Sequence, residues 1–345
     1  MKVLMVGPDR SVHGGISGVV NNYYGAGLDR KMDLCYIGTM VEGSKPRKLL
    51  QAALAYMRFL KQLPHYEIVH VNMASDASYY RKSFFIRAAK RAGKKIVIHQ
   101  HGGDFQGFYA HLSAAQKEKV RKVLSMGDAF LVLAPFWKEF FGTLIDKSKI
   151  SVLPDAIELP KAVSKKYGQR KMLFLGRLCK EKGIGELLEI MPRLKEKYPD
   201  CHLFLGGIWE DEALKHQAAE QKDCVTYLGW LTGEEKAKYL KECDIFVLPS
   251  YFEGQSVAIL EAMAYSCGIV ASDTGGIPQM ILQDETGILV TPKDAAALKQ
   301  GLTKLLEDSR MCRMLGERAR LKAEKEFSME ENIAQLMEIY ADICA

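Results

Sequence analysis

Short runs of apolar residues alternate along the whole chain with longer stretches in which apolar positions recur every three to four residues. The first kind has the length of a buried strand and the second the period of an amphipathic helix; their regular alternation is the signature of parallel α/β sheets. In the first half, the runs at residues 2–7, 33–38, 67–73, 95–99, 129–134 and 150–153 predict six strands, and a second series at 172–176, 202–205, 225–228, 245–248, 268–271 and 287–290 predicts six more. Between the two lies 154–169, rich in Pro, Lys and Ser and without clear period, which reads as a linker and hinge. Ser328, with Glu331 three residues on, is a capping-box pattern before a final helix at 332–344, whose apolar face is Ile333, Leu336, Met337, Ile339 and Tyr340.

Length agrees with two cores, since 345 residues is the size of two ordinary domains. No stretch of about 18 uncharged apolar residues is present, so no spanning helix is expected. The N-terminal apolar run is too short for a secretory signal and ends in Gly7-Pro8, so a cytoplasmic location is the expectation. The eight cysteines are scattered with no C-x-x-C, which leaves neither a redox motif nor metal-ligand spacing and makes them small core residues. The net charge of +6 is uneven: residues 1–155 carry 23 Lys+Arg against 12 Asp+Glu, and the remainder 25 against 30. Such an asymmetry points to an anionic partner. The cations gather at 45–48, 81–95 and 117–122, and in 79–95 they interleave with Phe84, Phe85, Ile86, Ala88 and Ala89. That segment is either a basic amphipathic helix resting on anionic lipid or a solvated helix face beside a buried strand. No nucleic-acid motif occurs, and nucleic acid is not an expected partner.

The chemistry-bearing letters sit where predicted strands end. After 245–248 comes Pro249-Ser250, which stops a strand, then Tyr251-Phe252-Glu253-Gly254-Gln255-Ser256, then a helix at 257–265 carrying Glu261. Were Glu253 one residue before a regular helix, a rise of about 1.5 Å per residue would set the two carboxylates roughly 12 Å apart. Paired glycosidase carboxylates stand at about 5–9.5 Å, so these two suit different parts of one extended ligand. A loop glutamate and a solvent-facing helix glutamate fit the same letters. After 172–176, Arg177 and Lys182 precede Gly183 at a helix start; a planar guanidinium and a compact ammonium match a diphosphate, or they are two solvated cations. Gly14 and Gly15 open the helix after the first strand, where backbone N–H groups meet an anion or the chain simply turns tightly. The pattern is not G-x-G-x-x-G, which argues against NAD at this loop. His101 and Asp104 follow the strand at 95–99, at the carboxyl end where parallel sheets place ligands; His99 reads as a strand residue. Gly206-Gly207, Gly229-Trp230 and Thr274-Gly275-Gly276 line loops or pack closely.

The G-R-L-x-x-x-K-G of 176–183 and the E-x7-E of 253–261 resemble the signatures of the retaining glycosyltransferases of family 4, and the likeness extends over nearly the whole chain, most strongly over 172–276. The resemblance implies the GT-B fold, two Rossmann-like parallel-sheet domains facing across a cleft: 1–158 on the acceptor side, 159–327 binding the nucleotide sugar, and 328–345 a helix crossing back to the first domain. It implies transfer of a sugar, UDP-linked, to an acceptor hydroxyl by front-face displacement. Arg177 and Lys182 would stabilise the leaving diphosphate, Glu253 and His101 hold the sugar, and Glu261 hold the ribose. Gly14 and Gly15 would face the donor phosphates or the acceptor, Gly254, Gln255 and Ser256 would meet the donor sugar or a phosphate, and Asp104 would orient the acceptor. The donor is a substrate, so neither cofactor nor metal is expected. The implied acceptor is a lipid-linked glycan of capsule or exopolysaccharide assembly, with peripheral contact at the inner face of an anionic membrane. A GT-B nucleotide-sugar epimerase and a non-catalytic GT-B partner subunit remain as alternatives.

Overall fold

The computed structural model describes residues 1–102 and 104–345; Gly103 lies outside them. The chain packs as two units, Met1–Glu158 with Met329–Ala345, and Leu159–Ser328.

In the first unit β1 (Lys2–Gly7), β2 (Asp33–Gly38), β3 (Ile68–Met73), β4 (Lys95–Gln100), β5 (Ala129–Val132) and β6 (Ile150–Val152) form one parallel sheet in the order β2-β1-β3-β4-β5-β6. All six residues of β3, and the last five of β1 and of β4, are buried, because helices cover both faces of the sheet; this turns strand alternation into continuous apolar runs. The strand order reverses between β1 and β3. In such sheets ligands bind beyond the strand carboxyl ends near the reversal. The second unit repeats the plan with β7 (Lys171–Leu175), β8 (His202–Gly206), β9 (Val225–Gly229), β10 (Ile245–Leu248), β11 (Gly268–Ser272) and β12 (Ile288–Val290), in the order β12-β11-β10-β7-β8-β9. Here the reversal falls between β7 and β10, so the loops that follow these two strands flank the switch point. Those loops carry Arg177, Lys182 and Glu253.

The final helix, Met329–Cys344, starts three residues before the predicted 332 and belongs to the first unit. It buries Ile333, Leu336 and Tyr340. The Tyr23 hydroxyl donates to Asn332 Oδ1 at 2.9 Å, and Tyr340 Oη shares a 2.6 Å hydrogen bond with His70 Nδ1. The helix also brings Glu330, Glu331, Glu338 and Asp342, which leaves the first unit at +6 and the second neutral.

Two expectations need correction. In helix Asp76–Arg91, Phe85, Ile86, Ala88 and Ala89 are core residues rather than lipid-facing ones. Lys82, Phe85, Ile86 and Ala89 share one helical face at i, i+3, i+4 and i+7, so the sheet draws Lys82 in with its apolar neighbours. Its ammonium is fully buried, donates to Thr39 Oγ1 at 2.5 Å, and is held well below its usual pKa by desolvation. The linker is also shorter than its composition suggests. Lys165 Nζ donates to the carbonyls of Leu240 and Cys243 at 2.6 and 2.7 Å, and the Tyr167 hydroxyl donates to that of Ser266 at 2.7 Å, which ties this end of the stretch to the second unit.

All eight cysteines are free, six of them buried. His70 is fully buried, and desolvation pulls its pKa down to about 3; His99, buried beside it, is lowered by the same cause and by His101. The unfolded chain takes up protons below about 6.5, whereas folded His70 resists until about 3, so its contribution is complete above 6.5 and is lost as pH falls. The slope is about 1 kcal/mol per pH unit for each such histidine. We expect the unfolding transition of the first unit to move down between pH 7 and pH 5, and His70→Gln to flatten that dependence. An unchanged slope in the variant would place its origin elsewhere.

Candidate functional site

In the second unit the loop after β10 is clamped on both sides. On one side Tyr251 N donates to Glu181 O at 2.8 Å, and Gly183 turns with φ +71, where an added Cβ would lie 2.1 Å from the Pro249 carbonyl oxygen. On the other side Gly276 N donates to Glu253 O at 3.2 Å, and Gly275, at φ +56, leaves room for only 1.8 Å between a Cβ and that same oxygen. Thr274 Oγ1 donates to Tyr251 O at 3.1 Å. Gly275 therefore serves close packing. Gly206-Gly207 does the same one strand over, since a Cβ on Gly207 would stand 1.7 Å from Gly176 O.

This clamp fixes Glu253, which is buried and not the solvent-facing loop glutamate that its letters also allowed. Its Oε1 accepts from Lys182 Nζ at 2.5 Å. Gly254, Gln255 and Ser256 are buried beyond it, and Ser256 Oγ accepts from Ile259 N at 3.4 Å, capping helix Val257–Ala264. Glu261, on that helix, pairs with Lys236 Nζ at 2.5 Å and is only 19% exposed at the side chain. The two glutamates thus face two different lysines. Lys236 was not singled out from the sequence. It lies in the first half of helix Gly233–Glu242, among other lysines with nothing local to mark it, and only the tertiary fold brings it to Glu261. Arg177 is half exposed, with its NH1 on Glu210 Oε2 at 3.0 Å. The Tyr251 hydroxyl donates to Glu186 Oε1 at 2.5 Å; burial, then that carboxylate, pushes the phenol pKa up. Two carboxylates and three cations, each engaged by a protein partner that a charged ligand can displace, suit an extended anionic ligand bearing hydroxyls.

In the first unit, His101 lies beyond the carboxyl end of β4 with its N–H on Met73 O at 2.8 Å. Its Nε2 is 2.9 Å from Asn72 Oδ1 and its Nδ1 3.4 Å from Asp155 Oδ1, the His101 and Asp155 side chains each being 4% exposed. The rings of His99 and His101 lie 4.0 Å apart, tilted by 38°. His99, His101 and Asp155 offer one ligand atom each, all within 4.8 Å of one another, the one group among the described residues with the makings of a metal site. Asp104 is exposed and precedes helix Phe105–Ala110 without capping it by its side chain. Gly14 and Gly15 open helix Gly15–Gly25, and a Cβ on either would meet nothing within 4 Å. Packing does not demand these glycines, unlike Gly183 and Gly275.

Comparison with known proteins agrees with this architecture. Residues 155–322 match the family model described as glycosyl transferases group 1. The amylovoran biosynthesis glycosyltransferase AmsK of Erwinia amylovora is 29% identical over 72% of this chain and 63% of its own length. The putative teichuronic acid biosynthesis glycosyltransferase TuaC of Bacillus subtilis is 28% identical over 73% and 64%. The chain thus spans less than two thirds of either relative. Among solved structures, sucrose-phosphate synthase from Thermosynechococcus elongatus superposes with a TM-score of 0.83 at 18% identity, covering 99% of both chains. Anabaena Alr3699/HepE in complex with UDP gives 0.79 at 15%, covering 99% and 100%. Identities this low speak for the fold alone, which is GT-B. The family match over residues 155–322 and the relatives named for glycosyl transfer make the second unit similar to the group 1 glycosyl transferases, on a fold that both units share with the solved structures.

Proposed function

We propose that this chain is a family 4 enzyme that moves a sugar, with retention, from a UDP-sugar to an acceptor hydroxyl. The observation that carries the reading is the Lys182–Glu253 pair, on the two loops that flank the strand reversal of the second unit. A diphosphate bears the charge to draw Lys182 off Glu253, and the released carboxylate then accepts from sugar hydroxyls. Glu261 accepts from the ribose hydroxyls, and Arg177 adds a second cation at the diphosphate. In the transfer step the bond from the anomeric carbon to the diphosphate oxygen breaks and its electron pair leaves with the diphosphate. The acceptor oxygen bonds to the same face of the carbon and gives its proton to a departing phosphate oxygen. Lys182 and Arg177 hold the charge that builds there, the task that electrostatic catalysis assigns to fixed cations, and the reading needs no metal for it. His101, steadied by Asn72 and Asp155, together with Asp104, Gly14 and Gly15, is assigned to the acceptor and sugar side. The UDP in the HepE complex and the polysaccharide products in the names of AmsK and TuaC support a UDP donor and a glycan acceptor, which we propose is carried on lipid.

A thermal-shift titration tests the donor half. UDP and a UDP-sugar should raise the melting temperature, ADP and GDP should do so less, and Glu261→Gln should weaken UDP binding about 10- to 100-fold, the worth of a charged hydrogen bond. Equal binding in the variant removes Glu261 from the site. No shift with any UDP ligand overturns the proposed donor.

A further inference from the structure

Helix Lys45–Gln62 is apolar on two opposite faces. One face turns Ala55 and Phe59 into the core, where Phe59 meets Phe85 of helix Asp76–Arg91 edge-on at 4.9 Å. The other holds Leu49, Leu50, Leu54, Met57 and Leu60 at 74, 61, 48, 59 and 44% exposure. At 100° per residue these five and Ala53 fall within an arc of about 140°, centred away from Phe59. Folding does not use this second stripe, and a stripe of large apolar side chains held in water marks a surface with a partner. Arg47 and Arg58 border it on one side, Lys61 lies just inside that edge between Leu50 and Leu54, Lys45 and Lys48 stand in the first turn, and the helix contains no acid. Tyr80 and Phe84 add two exposed aromatic rings on the neighbouring helix.

We infer that this face of the first unit docks on an anionic lipid bilayer, with helix Lys45–Gln62 lying in the plane of the surface. Leucine and methionine side chains enter the acyl boundary while the bordering cations meet lipid phosphates and carboxylates, the arrangement of an interfacial helix. Charge decides between occupants. A second copy of this chain would set five cations against five across the two-fold axis with no acid on the helix to meet them, whereas an anionic leaflet complements both the stripe and its border. The inference rests on helix Lys45–Gln62 alone and stands whether or not the proposed transfer is correct.

The test is co-sedimentation of the full chain with vesicles of about 30 mol% phosphatidylserine in phosphatidylcholine, against vesicles of phosphatidylcholine alone, at low and at raised salt. The parent should partition onto the anionic vesicles at least ten-fold more strongly than onto neutral ones, less so in salt. Leu50→Asp/Met57→Asp should lower that partition at least ten-fold. Both side chains already face water, so the variant should keep the parent melting temperature and the parent UDP response. Equal partition of parent and variant overturns the inference. So does a parent that ignores anionic vesicles, or one that sediments as a dimer through this face and becomes monomeric in the variant.

Discussion

Lys182→Ala should lower turnover of a UDP-sugar about 10²- to 10³-fold, the usual loss when one fixed charge-stabilising group leaves a reacting centre. Turnover can be read as UDP released, with or without acceptor. The loss should fall mainly on kcat, because Lys182 acts on charge that grows as the diphosphate departs, and the donor KM should move less. Stability should fall as well. The substitution leaves the buried Glu253 carboxylate without the ammonium 2.5 Å away, and orphaning a buried polar group costs about 1–3 kcal/mol. The double variant Lys182→Ala/Glu253→Gln separates the two effects: it should recover stability and remain inactive. Release of UDP within three-fold of the parent in Lys182→Ala would remove Lys182 from the chemistry.

Gly275→Ala should be among the most damaging single methyls in the second unit. The residue sits at φ +56, and its Cβ would come 1.8 Å from Glu253 O, so either the turn or the carbonyl must move. The left-handed conformation alone costs a non-glycine residue about 1–2 kcal/mol, and displacing the carbonyl adds overpacking of about 1–3 kcal/mol. The same displacement shifts Glu253, so UDP-sugar binding should go with stability. Gly183→Ala, 2.1 Å from Pro249 O, should behave alike. Gly14→Ala is the control: it meets nothing within 4 Å, and surface changes of that kind stay within about 0.5 kcal/mol. Denaturant unfolding of the three variants decides the matter, and a Gly275→Ala transition matching that of Gly14→Ala would show that the clamp is not rigid.

The strands were legible because a parallel sheet buried on both faces writes itself as unbroken apolar runs; all twelve predicted strands are present, with ends displaced by a residue or two. The loops after β7 and β10 were legible because their glycines, cations and carboxylate follow such runs directly. Lys236 was not, since a salt bridge between residues 236 and 261 leaves no local pattern. Nor was the inward turn of Lys82, because letters report charge and only the fold reports which face a helix offers the sheet. Helix Lys45–Gln62 shows the same limit, for its period fits either face toward the core, and only packing revealed which of the two apolar faces remained in water.

The place of helix Met329–Cys344 in the first unit sets an order on synthesis. Residues 1–158 leave the ribosome first, yet the partners of Tyr23 and His70 are Asn332 and Tyr340, near the very end of the chain. At about 5–20 residues per second, they lag the first unit by roughly ten seconds or more. Throughout that interval the nascent first unit exposes the surface that Ile333, Leu336 and Tyr340 later cover, while the second unit has every residue it needs before the last helix emerges. The half made first is therefore the half completed last.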